Sequence, residues 1–236
     1  MFEIRLHKRV SKFLEGLNKH EKEHCKYIEL ASGSVLKKEF LLGWQKAKET
    51  LRDMGVDVQL ELKLGVPRHM KHEEMLDVFN RAIAYHKRGI CCGIDVMGFE
   101  DNKTTSFAPA LEWLGQRLSE EGISKNFVVQ IHAGETSKNP ENVNEALRLA
   151  KRYGFSVNLG HSLIGWNEET INLMKDLAKN DQINVQLLHG SNISLSAAHD
   201  LSQLPWKVLT DNKIPFLVDT DGAIYNTNYR SLLLSL

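Results

Sequence analysis

The 236-residue sequence predicts an α/β fold: a (β/α)8 barrel of the TIM type, incomplete, with strands two to eight present and strand one and the last helix missing. Three observations predict it. Short runs rich in Val, Ile, Leu and Phe alternate with longer amphipathic stretches, and several of the runs are apolar on both faces, as strands of a parallel sheet are. Strand starts recur at roughly 28 to 35 residues, the length of one βα unit. Polar residues cluster where the strands end, which in such barrels is the catalytic face.

Taken in order, the first 25 or so residues read as helix, with Leu6, Val10, Phe13, Leu14 and Leu17 at helical spacing. Strands follow at Tyr27–Leu30, Val56–Leu64, Ile90–Met97, Phe127–His132, Phe155–Gly160, Ile183–Leu188 and Ile214–Asp219. Helices fill the gaps at Val35–Met54, Glu73–His86, Ala108–Glu121, Pro140–Tyr153, Glu168–Lys179 and Ala197–Asn212. Gly55, Gly122 and Gly154 stand where three of them should stop, and Pro140 suits a first helical turn. No sequence repeat points to a solenoid, and no Gly/Ser/Pro-rich linker divides the chain, so one partial barrel domain over 1–236 is expected. Seven strands leave two open edges, which predict aggregation or pairing with another segment or copy.

Composition narrows the function. Thirty basic residues balance thirty acidic ones, so no global field draws the chain to nucleic acid or an anionic membrane. Trp44, Trp113, Trp166 and Trp206 read as helix packing or loop anchors; no aromatic-basic alternation supports nucleic-acid binding. No apolar run approaches the ~20 residues a membrane span needs, and the N-terminus has no apolar signal core. The cysteines are Cys25, Cys91 and Cys92, which argues against a disulfide framework and for a reducing cytoplasm. The lack of a Cys-x-x-Cys pair argues against a zinc ribbon and against the cysteine-ligated zinc deaminases.

Four strand ends carry chemistry: Met97-Gly-Phe-Glu100, His132-Ala-Gly-Glu135, Gly160-His-Ser162 and Asp219-Thr-Asp-Gly222. His132 closes an apolar run, where a neutral imidazole makes a good zinc ligand. Alone, it reads rather as a core histidine bonded to backbone. Glu135 follows a small Ala-Gly pair that permits a tight turn back toward the same mouth; alone, it is a helix-start glutamate. His161 ends the next strand, and a histidine beside a metal can orient or deprotonate water. Asp221 is an acceptable zinc ligand, or else a turn aspartate. Asp219 shares the strand phase of Asp221 and suits a supporting role beside a metal. His69-Met-Lys-His72 reads as solvated loop.

In this order, the residues resemble the adenosine deaminase family. His132-Ala-Gly-Glu135, Gly93-Ile-Asp-Val-Met-Gly98-Phe-Glu100, Leu159-Gly-His161, Ser191-Asn192 and Thr220-Asp221 are similar to its motifs after successive strands. The resemblance implies a mononuclear zinc hydrolase releasing ammonia from C6 of an adenine nucleoside or nucleotide. It implies zinc ligation by His132 and Asp221, and positioning and deprotonation of water by His161 and Asp221. Glu135 is expected to protonate purine N1 from an apolar or anionic setting, and Gly98 to offer its N–H to the ring. Two departures stand out. The family's strand-one His-x-His occurs nowhere in this sequence, and Gly222 follows Asp221 where a second aspartate is usual. The first leads us to expect either that strand one lies upstream of Met1 or that this chain is inactive alone. Two further readings stay open: the same barrel and metal with another aminopurine or a cyclic amide as substrate, and a noncatalytic barrel fragment serving assembly or regulation.

Overall fold

A computed structural model describes residues 27–32, 38–53, 55, 59–136, 138–188, 191–192 and 203–219. Its strands are β1 Tyr27–Ser32, β2 Gln59–Pro67, β3 Gly93–Met97, β4 Val128–Ala133, β5 Ser156–His161, β6 Ile183–Leu188 and β7 Phe216–Asp219. All seven predicted strands are present. They form one sheet in sequence order, every neighbouring pair parallel. Between them run α1 Lys38–Asp53, α2 His72–Lys87, α3 Thr104–Glu120, α4 Glu141–Tyr153, α5 Glu168–Ala178 and α6 Trp206–Asp211. The helix expected in the first 25 residues, and the N-terminal part of the one expected from Ala197, lie outside the described residues. No helix among the described residues is long and apolar enough to cross a membrane.

The core lies between the sheet and its helices. Leu64, Ile94, Val129, Val157 and Ile183 occupy one register line across five strands, and all are buried. On α1, Phe40, Trp44, Ala47 and Leu51 repeat at helical spacing and are buried against them. Gly154 caps α4 at φ +70°, a conformation open to glycine. One boundary differs by a whole turn: α3 begins at Thr104, not Ala108. Pro109, which has no N–H to donate, falls in the first turns of the helix, where the loss is tolerated. The side chain of Asn142 on α4 accepts from the Thr104 N–H at 2.8 Å, so a distant residue secures that first turn.

The other face of the sheet departs from expectation. Both faces are buried, but only the helix side is apolar. The alternate phase carries Glu29, Glu61, Lys63, Asp95, Gln130, Asn158 and Asn184. Three of them meet directly: Lys63 Nζ lies 2.5 Å from Glu29 Oε1 and donates to Gln130 Oε1 at 2.5 Å. Gln186 Nε2 on β6 donates to Glu29 Oε1 on β1 at 3.5 Å. In a flat sheet those strands would stand roughly 24 Å apart. The sheet is therefore curled, with its polar face inside, as an incomplete (β/α) barrel. Lys63 is fully buried, so Lys63→Met should lower stability by about 3 kcal/mol in urea unfolding, since it strips Glu29 of its cation. The double variant with Glu29→Gln should recover part of that loss. Equal stability of Lys63→Met and the parent would refute the pairing.

Candidate active site

The predicted residues gather at the C-terminal rim of β3, β4 and β5. His132 shares the inward phase of Gln130, and its register partner on β5 is Gly160. A Cβ on Gly160 would lie against the imidazole at 3.4 Å, in ordinary van der Waals contact, so the ring sits directly over this glycine. His132 Nδ1 lies 2.9 Å from His161 Nε2, and His161 Nε2 lies 3.8 Å from Glu135 Oε2. Residues from the ends of two strands thus share one small volume. Gly98 sits at the same rim with φ +115°, and a Cβ there would find only Arg68 N, at 3.8 Å. It borders open space. Asp219 closes β7 opposite Leu188. Asp221, Thr220 and Gly222 lie outside the described residues. His69 and His72 are both exposed, but His72 opens α2 instead of lying in the loop.

The backbone after β5 is bent to make this possible. His161 and Ser162 both adopt left-handed conformations, at φ +67° and +49°. Non-glycine residues hold such conformations only where their surroundings enforce them. Here Ser162 N donates to Ala133 O and Leu163 N to Gly134 O, both at 2.9 Å. Trp166 Nε1 donates to Ser162 O at 2.7 Å, the loop anchor expected of it. The turns after β4 and β5 are sewn together, which fixes the two imidazoles relative to each other.

Hydrogen-bond directions run along the cluster. His161 Nδ1 faces Asn192 Oδ1 at 2.7 Å, and an amide oxygen only accepts, so Nδ1 carries the proton. In a neutral ring, His161 Nε2 then accepts from His132 Nδ1. His132 Nε2 is left with a lone pair, approached by the Gln130 amide at 3.4 Å and lying 3.2 Å from Asp95 Oδ1. That buried carboxylate oxygen receives no hydrogen bond. A nitrogen lone pair and an anionic oxygen facing one another suit a cation. The donor set thus fits a metal in kind. In number it falls short: among the described residues no group of three His, Cys, Asp or Glu is placed to hold one.

Arg68 went unnoticed in the sequence. It is 2% exposed, donates through Nη2 to the His132 carbonyl and through Nη1 to Asn102 O at 2.8 Å, and lies over the Phe107 ring. Burial holds its pKa below the usual value, opposed by the carboxylates of Glu100 and Glu135. Arg68 thus places a cation near Glu135, with the Glu100 carboxylate acting on the same guanidinium. The available signal was position: Pro67-Arg68 ends β2 just as the polar groups end β3 to β5. Asp95, Glu100 and Asn192 stand inside recognised motifs, yet their duties appear only in three dimensions. Cys91 and Cys92 are free thiols, and burial foremost pushes each up to about 12, so neither is a ready nucleophile.

Fold and rim define a (β/α)-barrel protein with a histidine-carboxylate cluster at its catalytic face. The adenosine deaminase family model matches residues 23–231, and the chain belongs to that family. An adenine deaminase from Kluyveromyces lactis is 27% identical over 195 residues, 83% of this chain and 50% of the relative. The chain thus spans about half the length of that relative. The crystal structure of an adenine deaminase from Arthrobacter aurescens superposes with a TM-score of 0.72 at 19% identity, covering 98% of this chain and 68% of the other. An N6-methyl-AMP deaminase from Arabidopsis thaliana gives 0.68 at 19% identity, covering 97% and 68%.

Proposed function

We propose that this protein serves the hydrolytic deamination of a 6-aminopurine, in which water replaces the exocyclic amine and ammonia leaves. The observation that carries this reading is the 2.9 Å approach of His132 at the end of β4 to His161 at the end of β5, with Glu135 3.8 Å from the latter. His132 and Asp221 would hold a zinc ion. The chemistry zinc supplies when bound is an activated water at neutral pH. His161, held through Nδ1 by Asn192, would orient that water and accept its proton at Nε2 once His132 Nδ1 turns away from it. Glu135 protonates ring N1 as C6 becomes tetrahedral. Gly98, with open space before it, lets the ring approach its backbone. Asp219 supports Asp221 from the same strand phase. The free thiols suit a reducing cytoplasm.

Substrate form is the finer question. The named relatives act on the free base or on a nucleotide, and Gly222 takes the place of the family's usual second aspartate. We therefore propose the purine ring as the recognised unit. A second reading is a noncatalytic barrel. It is favoured by the absence of any His-x-His in the sequence and of a three-ligand group among the described residues.

One experiment separates them. Ammonia release should be screened over adenine, adenosine, AMP and N6-methyl-AMP, with this chain and with a form extended at its N-terminus. Release that is lost to a chelator and restored by about one zinc per chain is the expected result. No release from any substrate in either form after zinc loading overturns the deaminase reading and leaves the noncatalytic one.

A further inference from the structure

We infer that Glu100 is the positioning residue of Glu135, and this rests on the deaminase reading only for its consequence in turnover. Glu100 is 2% exposed. Its Oε1 accepts from the Gly134 N–H at 2.7 Å and its Oε2 from the Thr136 N–H at 2.8 Å. These amides stand on either side of Glu135. One carboxylate from the β3–α3 connection therefore pins the backbone both before and after the residue that faces His161. Backbone N–H groups converging on an anion form a nest, and here the anion is built into the chain.

The carboxylate is itself held. Asn142 Nδ2 donates to Glu100 Oε1 at 3.3 Å and Asn139 Nδ2 to the Glu100 carbonyl at 2.7 Å. Asn142 also caps α3 through Thr104, so the clamp is tied to two helices. The loop has little room to move at Gly134, where φ is +78° and a Cβ would lie 2.8 Å from Ile164 O. Glu135 thus inherits its direction from Glu100. No proton transfer by Glu100 is needed, since both oxygens are engaged by amides.

Glutamine at this position keeps one acceptor oxygen but turns an NH2 group toward the other amide, so it breaks half the clamp at constant volume. Aspartate keeps the charge and loses the reach to span both amides. The test compares Glu100→Gln and Glu100→Asp with the parent protein. Cooperative urea unfolding establishes that at least one variant folds. Amide exchange at Gly134 and Thr136 should quicken about tenfold or more, with Val129 and Ile131 unchanged, and the Glu135 Cδ resonance should shift. In the active form, kcat should fall about tenfold or more with KM within twofold, the pattern of a misplaced reacting group.

Unchanged exchange and an unmoved Glu135 resonance overturn the proposal whether or not the protein is a deaminase. A parent that releases ammonia alongside a variant with loosened amides but full kcat overturns it too. A parent with no activity sinks the deaminase reading alone, while exchange and the Glu135 resonance still decide the clamp.

Discussion

Glu135→Gln should leave the protein folded and reduce ammonia release by at least ~100-fold, toward ~10,000-fold, in the active form. The substitution keeps the volume of the side chain and an oxygen to face His161 Nε2, now 3.8 Å from Glu135 Oε2. It removes the one thing the proposed role needs, an acidic proton for ring N1. The Glu135 side chain is 17% exposed and glutamine keeps its volume, so packing is retained, with a modest fall in melting temperature as the buried Arg68 loses one of its carboxylate neighbours. KM should stay near that of the parent, because the loss falls on the chemical step. Turnover within threefold of the parent would remove Glu135 from the reaction. It would also shift the proton-donor assignment away from the loop after β4.

Gly93→Ala should have the largest effect on stability, about 3 kcal/mol or more. Gly93 pairs with Lys63 on one side and Val128 on the other, so it sits within the sheet. An added Cβ would lie 1.8 Å from Val128 O, 2.7 Å from Val128 C and 2.9 Å from Val128 N. All three are backbone atoms, and relief requires β3 and β4 to separate where Val128 N donates to Cys92 O at 2.9 Å. A loss of that size is a large part of the stability of an ordinary domain, roughly 5–15 kcal/mol. For a chain of this length it lowers the melting temperature by about 6–12 °C. Gly89→Ala is the control: nothing lies within 4 Å of the added Cβ, so only its own backbone conformation, φ +68°, resists, at about 1 kcal/mol. Equal melting temperatures for Gly93→Ala and the parent would show that β3 and β4 are not in this register.

Much of the site was legible because its residues close strands. His132, Glu135, His161 and Gly98 each follow an apolar run, and a parallel sheet brings such ends to one rim. Asp221 was read by the same logic, and its placement lies outside the described residues. Arg68 obeys the logic too, but arginine after a strand is usually solvated; only burial against His132 O and Phe107 reveals its duty. Glu100 was visible as part of a motif, whereas the two amides it pins belong to residues 34 and 36 positions away. Pairings at such separation leave no trace in local periodicity.

By itself, the sequence determined the strand count, their order and the chemistry waiting at their ends, because hydrophobic spacing is a local property that each segment carries alone. The tertiary structure decided which face of the sheet is polar, how far it curls and which rim groups meet. Those outcomes depend on partners, since a buried Lys63 or Glu100 is tolerable only where Glu29 and Gln130, or two backbone amides, arrive to meet it.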